Sequence, residues 1–151
     1  MKSTPNDYLK FWRVIRYYMK AKHNLSQADL DIILFLYSEG YFGEEKFKEF
    51  SELVSWDVNR FKSLHRDGWI ETFRRRGTNG RALYQLSYKA TRVVLDIYRK
   101  LNGEEIPTSM SANPMFHKNV SYTDKVYRNM ILQMNAYYRE DRERKRSSSE
   151  D

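Results

Sequence analysis

The chain has 151 residues, of which 40% are apolar or aromatic and 31% are charged, a balance that suits one domain with a heavily charged surface. It contains no cysteine, which excludes disulfide bonds, thiolate zinc sites and cysteine nucleophiles. No stretch approaches the roughly 18 uncharged apolar residues of a membrane span, and the N-terminal stretch lacks the apolar core of a signal peptide. We therefore expect a cytoplasmic protein.

Four helices are predicted in the first half of the chain, from apolar residues at spacings of three and four. Ser, Asn and Asp residues mark helix starts, because their side chains accept hydrogen bonds from the first backbone N–H groups of a helix. The predicted helices are residues 8–22 with Asn6 or Asp7 as N-cap, a second from the Ser26 N-cap to Gly40, a short third from Gly43-Glu44, and residues 56–67 with Ser55 as N-cap.

The hydrophobic period then changes from helical to alternating, which predicts strands over residues 69–73 and 82–86. Between them lie Gly77, Asn79 and Gly80, residue types that tolerate the positive φ of a turn. The predicted hairpin is rich in arginine and has no acid between its first and last arginines. These arginines are Arg74, Arg75, Arg76 and Arg81.

Two further helices are predicted after the hairpin. Ser87 is the N-cap of the first, which ends at Asn102-Gly103. Residues 104–120 hold two prolines and show no periodicity, so they are predicted as a linker. The last helix covers residues 121–139, and residues 140–151 are predicted as a disordered tail.

The net charge of +7 is unevenly distributed along the chain. Residues 25–54 hold two Lys or Arg against seven acids, whereas residues 55–92 hold nine against three. A concentrated basic block is what a polyanion-binding surface needs, because each neutralised phosphate releases a counterion. The same side chains would also serve to solubilise helices, so charge alone leaves both interpretations open.

Three sequence segments occur in a fixed order, and the basic hairpin lies between the second and the third. The segments are LSQADLDIIL at residues 25–34, LHRDGWI at residues 64–70 and LSYKAT at residues 86–91. In this order, the stretch from Leu25 to about Leu101 resembles the winged-helix core of MarR-family transcriptional regulators. With the flanking helices, the resemblance covers most of the chain.

The resemblance implies a mostly α fold with a small β-hairpin wing. It places a winged helix-turn-helix domain at residues 25–103, with N-terminal and C-terminal dimerisation helices at residues 1–24 and 121–139. It also implies a non-enzymatic, nucleoid-associated regulator of transcription that binds double-stranded DNA as a homodimer. Family members often sense small ligands between the dimer arms and the DNA-binding domain, but the sequence names no ligand.

The helix over residues 56–67 and the hairpin hold the predicted DNA contacts. Asn59 and Arg60 are the residue types that read adenine and guanine edges in the major groove. Lys62 and Arg66 suit phosphates, and arginines enter a narrow minor groove readily. The full predicted set is Ser55, Asn59, Arg60, Lys62, Ser63, Arg66, Arg74, Arg75, Arg76 and Arg81.

No pattern in the sequence predicts catalysis, a cofactor or a metal site. The three histidines, His23, His65 and His117, are dispersed and form no pair at metal-ligand spacing. No glycine-rich phosphate loop follows a predicted strand.

The main alternative is a winged-helix protein-interaction or structural module, for instance a viral component, without specific DNA binding. A bulky ring, an anion and an acidic block near the 56–67 helix favour it, because they would obstruct or repel phosphate. These residues are Trp56, Asp57, Glu44, Glu45, Glu49 and Glu52. An RNA or single-strand binder is a further alternative. It would need an aromatic-rich sheet face for stacking, which the sequence does not show.

Overall fold

The computed structural model describes residues 7–54, 58–77 and 80–150. The predicted N-caps Asn6 and Ser55, together with Trp56, Asp57 and Asn79, lie outside these ranges. The described chain is mostly helical, with one antiparallel hairpin. In chain order the elements are α1 (Tyr8–His23), α2 (Gln27–Tyr37), α3 (Glu44–Val54), α4 (Val58–Arg66), β1 (Ile70–Arg74), β2 (Leu83–Leu86), α5 (Tyr88–Leu101), a 3-10 helix (Pro114–Phe116) and α6 (Tyr122–Glu150).

Side-chain caps explain where four of the helices begin. Asp7, Ser26, Ser87 and Ser121 each accept a hydrogen bond from the backbone N–H three residues later, at 3.1–3.2 Å. Each bond satisfies one of the N–H groups that has no partner inside its helix. The sequence predicts helix starts at or beside all four residues. For α1, where Asn6 and Asp7 were both predicted as the N-cap, the structure shows that Asp7 accepts the hydrogen bond.

The chain divides into two compact units, and the division falls inside α5. We call Met1–Asn24 with Asp96–Asp151 the terminal unit, and Leu25–Leu95 the central unit. The central unit begins at the residue where the sequence places the start of the winged-helix domain. No helix in the described ranges is long and apolar enough to cross a membrane.

The core of the terminal unit is formed by α1 and α6 with the segment that precedes α6. Phe11 of α1 packs edge-on against Tyr138 of α6, with ring centroids 5.3 Å apart. Other buried apolar residues come from both helices and from the intervening segment, because the stripes at helical spacing meet each other. They are Val14, Ile15, Tyr18, Met19, Ile106, Met115, Ile131 and Met134.

Residues 104–120 differ from the predicted linker, because they pack into the terminal unit. The buried Asn135 side chain accepts from the backbone N–H of Ile106 and donates to its carbonyl, both at 2.9 Å. Asn113 and Met115 are also buried. Specific hydrogen bonds order this irregular segment, and they leave no periodic signal in the sequence.

The structure also differs at the C-terminus, where α6 continues to Glu150 instead of giving way to a disordered tail at residue 140. Asp141 pairs with Lys145 at 3.0 Å and with Arg144 at 3.5 Å. Opposite charges three and four residues apart stabilise an exposed helix. The mixed charges of residues 140–150, which the sequence analysis assigned to a disordered tail, therefore stabilise the end of α6.

Candidate nucleic-acid interface

Helix α4 turns an apolar face inward and a polar face outward. Phe61 and Leu64 are buried, and Phe61 lies edge-on to Phe47 of α3 at 5.1 Å. At the end of α4, Gly68 adopts a left-handed φ of +84°, and the N–H of Trp69 donates to the carbonyl of Leu64 at 2.9 Å. This turn leads directly into the hairpin.

Of the predicted contacts on α4, Asn59, Lys62 and Arg66 are exposed and Ser63 is half-buried. Arg66 donates to Ser63 at 3.1 Å and pairs with Asp67 at 3.3 Å. Both partners of that pair are largely exposed, and exposed ion pairs contribute little. Arg66 can therefore exchange Asp67 for a phosphate at small cost.

Arg60 is engaged inside the central unit. Its guanidinium donates to the Asp29 carboxylate at 2.9 Å and to the Ser26 hydroxyl at 3.4 Å. The side chains of Arg60 and Asp29 are only 34% and 24% exposed. This pair joins α4 to the first turn of α2, whereas the sequence predicts that Arg60 reads a base.

The hairpin is attached to α4 by one of its faces. Tyr84 of β2 lies edge-on to Phe61 at 5.0 Å, and the His65 ring shares a 3.0 Å hydrogen bond with Thr72 of β1. Thr72 and Tyr84 are directly opposite in the antiparallel register, so both project from the same face. These contacts hold α4 and the base of the hairpin together in one unit.

A single residue between α2 and α3 pairs with the other edge of β2. Phe42, between α2 and α3, donates its N–H to the carbonyl of Tyr84 at 2.9 Å and accepts from the Tyr84 N–H at 2.8 Å. Its buried ring lies edge-on to Phe61. This pairing ties the α2–α3 connection to the hairpin.

All four arginines of the hairpin are exposed. Arg74 reaches across the strands and donates to the carbonyl of Arg81 at 3.3 Å. Its Nη2 lies 2.9 Å from where a Cβ would stand at Gly80, so the guanidinium packs against the backbone of this glycine. Arg75 and Arg76 extend from the end of β1 toward the turn.

Acidic side chains lie beside the hairpin. Arg81 pairs with Glu45 in the first turn of α3, and both side chains are largely exposed. A groove of about 410 Å³ beside this pair is lined by acids and bases together. Its charged residues are Glu44, Glu45, Lys48, Arg76 and Arg81. The acidic block of the sequence therefore meets the basic block at this groove.

The terminal unit carries a separate set of surface features. Leu9 of α1 and Tyr122 of α6 are more than four-fifths exposed, and Val126 and Leu132 of α6 are about two-fifths exposed. Tyr122 and Val126 are four residues apart and therefore share one exposed face of α6, which is a candidate interface. These exposed side chains lie on the helices that the resemblance assigns to dimerisation.

Three tyrosines between α1 and α6 have perturbed ionisation. Burial raises the pKa of Tyr18 and Tyr138 to about 12. Burial also raises the pKa of Tyr17 to about 12, assisted by its hydrogen bond to the Asp124 carboxylate. Tyr17 stacks on Tyr127 with ring centroids 3.9 Å apart. These shifts belong to packing within the terminal unit.

Sequence reasoning missed one feature of the central unit. Tyr41 and Phe73 stack on each other with ring centroids 4.0 Å apart, and both rings are about half exposed. The alternation of β1 could have shown that Phe73 does not share the inward face. Tyr41 gives no comparable signal, because it precedes a single paired residue and not a strand.

Comparison of the chain with protein-family models, curated proteins and solved structures gives no match. Among the described residues, no three histidine or carboxylate side chains converge as a metal site.

Proposed function

We propose that the chain is a winged-helix regulator of transcription that binds duplex DNA as a homodimer. In this proposal α4 enters the major groove, and the arginine hairpin (residues 70–86) is the wing that reaches the adjacent minor groove or backbone. The resemblance to MarR-family regulators, carried by the sequence segments, agrees with this assignment.

One observation carries the proposal. The polar face of α4 and the exposed arginines belong to elements that are joined by the Phe61–Tyr84 and His65–Thr72 contacts. A helix and a basic hairpin in a fixed mutual arrangement present base-reading and phosphate-binding groups as one surface. The single β-bridge between Phe42 and Tyr84 ties the α2–α3 connection to the same unit.

Individual residues take distinct roles in this proposal. Asn59 and Lys62 project from α4 toward base edges and phosphate, while Arg75 and Arg76 supply charge on the hairpin. Arg60 is a positioning residue, because its bond to Asp29 holds α4 against α2.

The homodimer is proposed to form through the terminal unit. The exposed apolar residues of α1 and α6 provide its contact surface, and two central units would then face two half-sites about one helical turn apart. The proposal includes no catalytic step, cofactor or metal, since its positive support is for a binding surface only.

A second function, a protein-interaction or structural module, is favoured by the contact between Glu45 and Arg81. A carboxylate beside the hairpin competes with phosphate for the arginine and adds negative potential to the groove. A protein partner with charges of both signs would suit this groove better than DNA would.

Duplex binding at several salt concentrations tests the proposal and separates the two functions. Fluorescence anisotropy of a labelled mixed-sequence duplex should show an affinity that falls linearly with salt on logarithmic axes. The Arg75→Ala/Arg76→Ala variant should reduce the slope by about 2 per chain, or about 4 for the homodimer, since each lost phosphate contact removes about 1. A duplex from upstream of the protein's own gene, with random competitor, then tests specificity.

The matched control is Lys118→Ala/Arg144→Ala, which removes the same charge from the terminal unit and should leave the slope nearly unchanged. No binding at low salt would contradict the duplex function and favour the protein-interaction module. Equal losses in both double variants would mean that binding responds to net charge alone and that the hairpin is not part of the site.

A further inference from the structure

The stacked pair of Tyr41 and Phe73, which we call the aromatic pair, is exposed without an evident structural reason. The rings are 54% and 50% exposed, lie 4.0 Å apart and are inclined by 24°. A folded domain gains most from aromatic side chains when it buries them. Two adjacent half-exposed rings in contact are therefore a candidate binding surface.

The aromatic pair lies on the face of the hairpin that points away from α4. Successive residues of a strand project to opposite faces, and Thr72 and Tyr84 contact α4. Their neighbours Glu71 and Gln85 are joined by a 2.8 Å hydrogen bond on the other face. Phe73 lies at a bulge, where alternation is interrupted, but its stacking partner Tyr41 lines the same depression as Gln85. The aromatic pair is thus separate from the polar face of α4.

A depression of about 280 Å³ borders Tyr41. Its walls combine apolar surface with groups that can form hydrogen bonds, which is the combination that a planar heterocycle with a polar edge requires. The residues that line it with Tyr41 are Leu36, Tyr37, Gly40, Gln85, Leu86 and Thr91.

The charge beside the aromatic pair is positive toward the tip of the hairpin. Arg75 is two residues beyond Phe73, so their Cα atoms are at most about 7 Å apart. Arg75 and Arg76 are exposed. Glu71 lies two residues before Phe73, which makes the opposite direction unfavourable for an anion. An occupant with flat apolar groups and regularly spaced anions fits this polarity.

We infer that the aromatic pair is a stacking site for unpaired bases of a single-stranded nucleic acid whose phosphates are held by Arg75 and Arg76. This inference adds a second nucleic-acid surface to the proposed function and shares the hairpin arginines with it. Aromatic rings stack on any base, so the site binds single strands with little sequence preference. A duplex does not offer its base faces to the pair.

Two labelled oligonucleotides of equal length test the inference by anisotropy with the full chain. One is oligothymidylate, and the other carries abasic sites throughout, so that the phosphates are equal and only the bases differ. We expect the wild-type chain to bind oligothymidylate at least about fivefold more tightly, which is the lower end of the usual effect of stacking one base. Equal affinity for the two oligonucleotides would overturn the inference.

Variants assign the effect to the aromatic pair. Phe73→Leu and Tyr41→Leu should each weaken oligothymidylate binding by about fivefold or more while leaving duplex and abasic binding unchanged. Tyr41→Phe keeps the ring and should bind as the wild type does. Tyr88→Leu removes another exposed tyrosine of the central unit and serves as the matched control.

The outcomes separate this inference from the proposed function. Duplex binding without any preference for oligothymidylate over the abasic strand would refute the stacking site and leave the duplex function standing. A preference that survives both leucine variants would also refute the site. Oligothymidylate binding that depends on Phe73, in a chain that does not bind duplex, would support the stacking site and refute the duplex function.

Discussion

The ion pair between Arg60 and Asp29 gives a direct test of how α4 is positioned. We predict that Asp29→Asn and Arg60→Leu each destabilise the central unit and that their effects are not additive. Each substitution alone removes the attraction between opposite charges across the 2.9 Å contact of α4 with α2, so the second loses nothing further from it. Non-additivity is the signature of a direct interaction.

The burial of the pair sets the expected magnitude. Fully exposed ion pairs contribute about 0.2–1 kcal/mol, and this one is about two-thirds or more buried on each side. We therefore expect a coupling energy of about 1 kcal/mol. Asp29 also lies in the first turn of α2, where a negative charge contributes about 0.3–1 kcal/mol through the helix dipole. That contribution is lost in Asp29→Asn with or without Arg60, so it cancels in the double-mutant cycle.

The assay is urea unfolding of the wild type, the two single variants and the double variant, followed by circular dichroism. Additivity within about 0.3–0.5 kcal/mol, the range found for independent sites, would refute the reasoning. Duplex binding by the same four proteins decides the role of Arg60. If Arg60 acts only by holding α4 in position, Asp29→Asn should weaken duplex binding. Unchanged or tighter binding by Asp29→Asn that is lost in the double variant would show that Arg60, once released, contacts the DNA itself.

Three further predictions concern the terminal unit. Asn135→Leu should destabilise it by about 2–5 kcal/mol, because two buried backbone groups lose their hydrogen bonds, as thermal unfolding will show. The raised pKa values of Tyr18 and Tyr138 predict that the contribution of each tyrosine to stability is constant below about pH 10 and falls by up to about 1.4 kcal/mol per pH unit as the pH rises toward 12. Tyr122→Glu with Val126→Glu should convert a dimer to a monomer in sedimentation, since charges on the exposed face of α6 oppose burial.

Each of these predictions has a control or a contradicting result. Asn129→Leu, on an exposed position of α6, should change stability by no more than about 0.5 kcal/mol. Phenylalanine at either buried tyrosine should flatten the alkaline loss of stability, and an unchanged curve would contradict the assignment. A glutamate double variant that stays dimeric would remove this face of α6 from the interface.

Local signals predicted much of the fold. Ser26 and Ser87 each begin a helix because a hydroxyl captures an N–H only three residues away, and such a pattern is visible in the sequence. The hairpin was predictable for the same reason, from alternation and turn residues between Ile70 and Leu86. Asn135 illustrates the opposite case, because its partner Ile106 is 29 residues away and no periodic pattern links them.

The candidate site shows the same division. The exposure of Asn59, Lys62 and the hairpin arginines follows from helical and strand periodicity alone. The engagement of Arg60 by Asp29 spans 31 residues and depends on how α2 and α4 pack. A sequence gives the charge of each residue, but the partner that neutralises it is a tertiary property.

Those partners bear on the strength of DNA binding. Five cations of α4 and the hairpin are exposed and are not paired with Asp29 or Glu45; they are Lys62, Arg66, Arg74, Arg75 and Arg76. At about −0.9 for each phosphate contact, these five correspond to a salt slope of about −4.5 per chain, or about −9 for the proposed homodimer. If Arg60 and Arg81 also reached phosphates, the slope for the homodimer would be about −13. Arg60 and Arg81 would first have to leave Asp29 and Glu45. A measured slope near −9 would therefore mean that these acids keep their arginines in the complex, and a slope near −13 would mean that DNA displaces the acids.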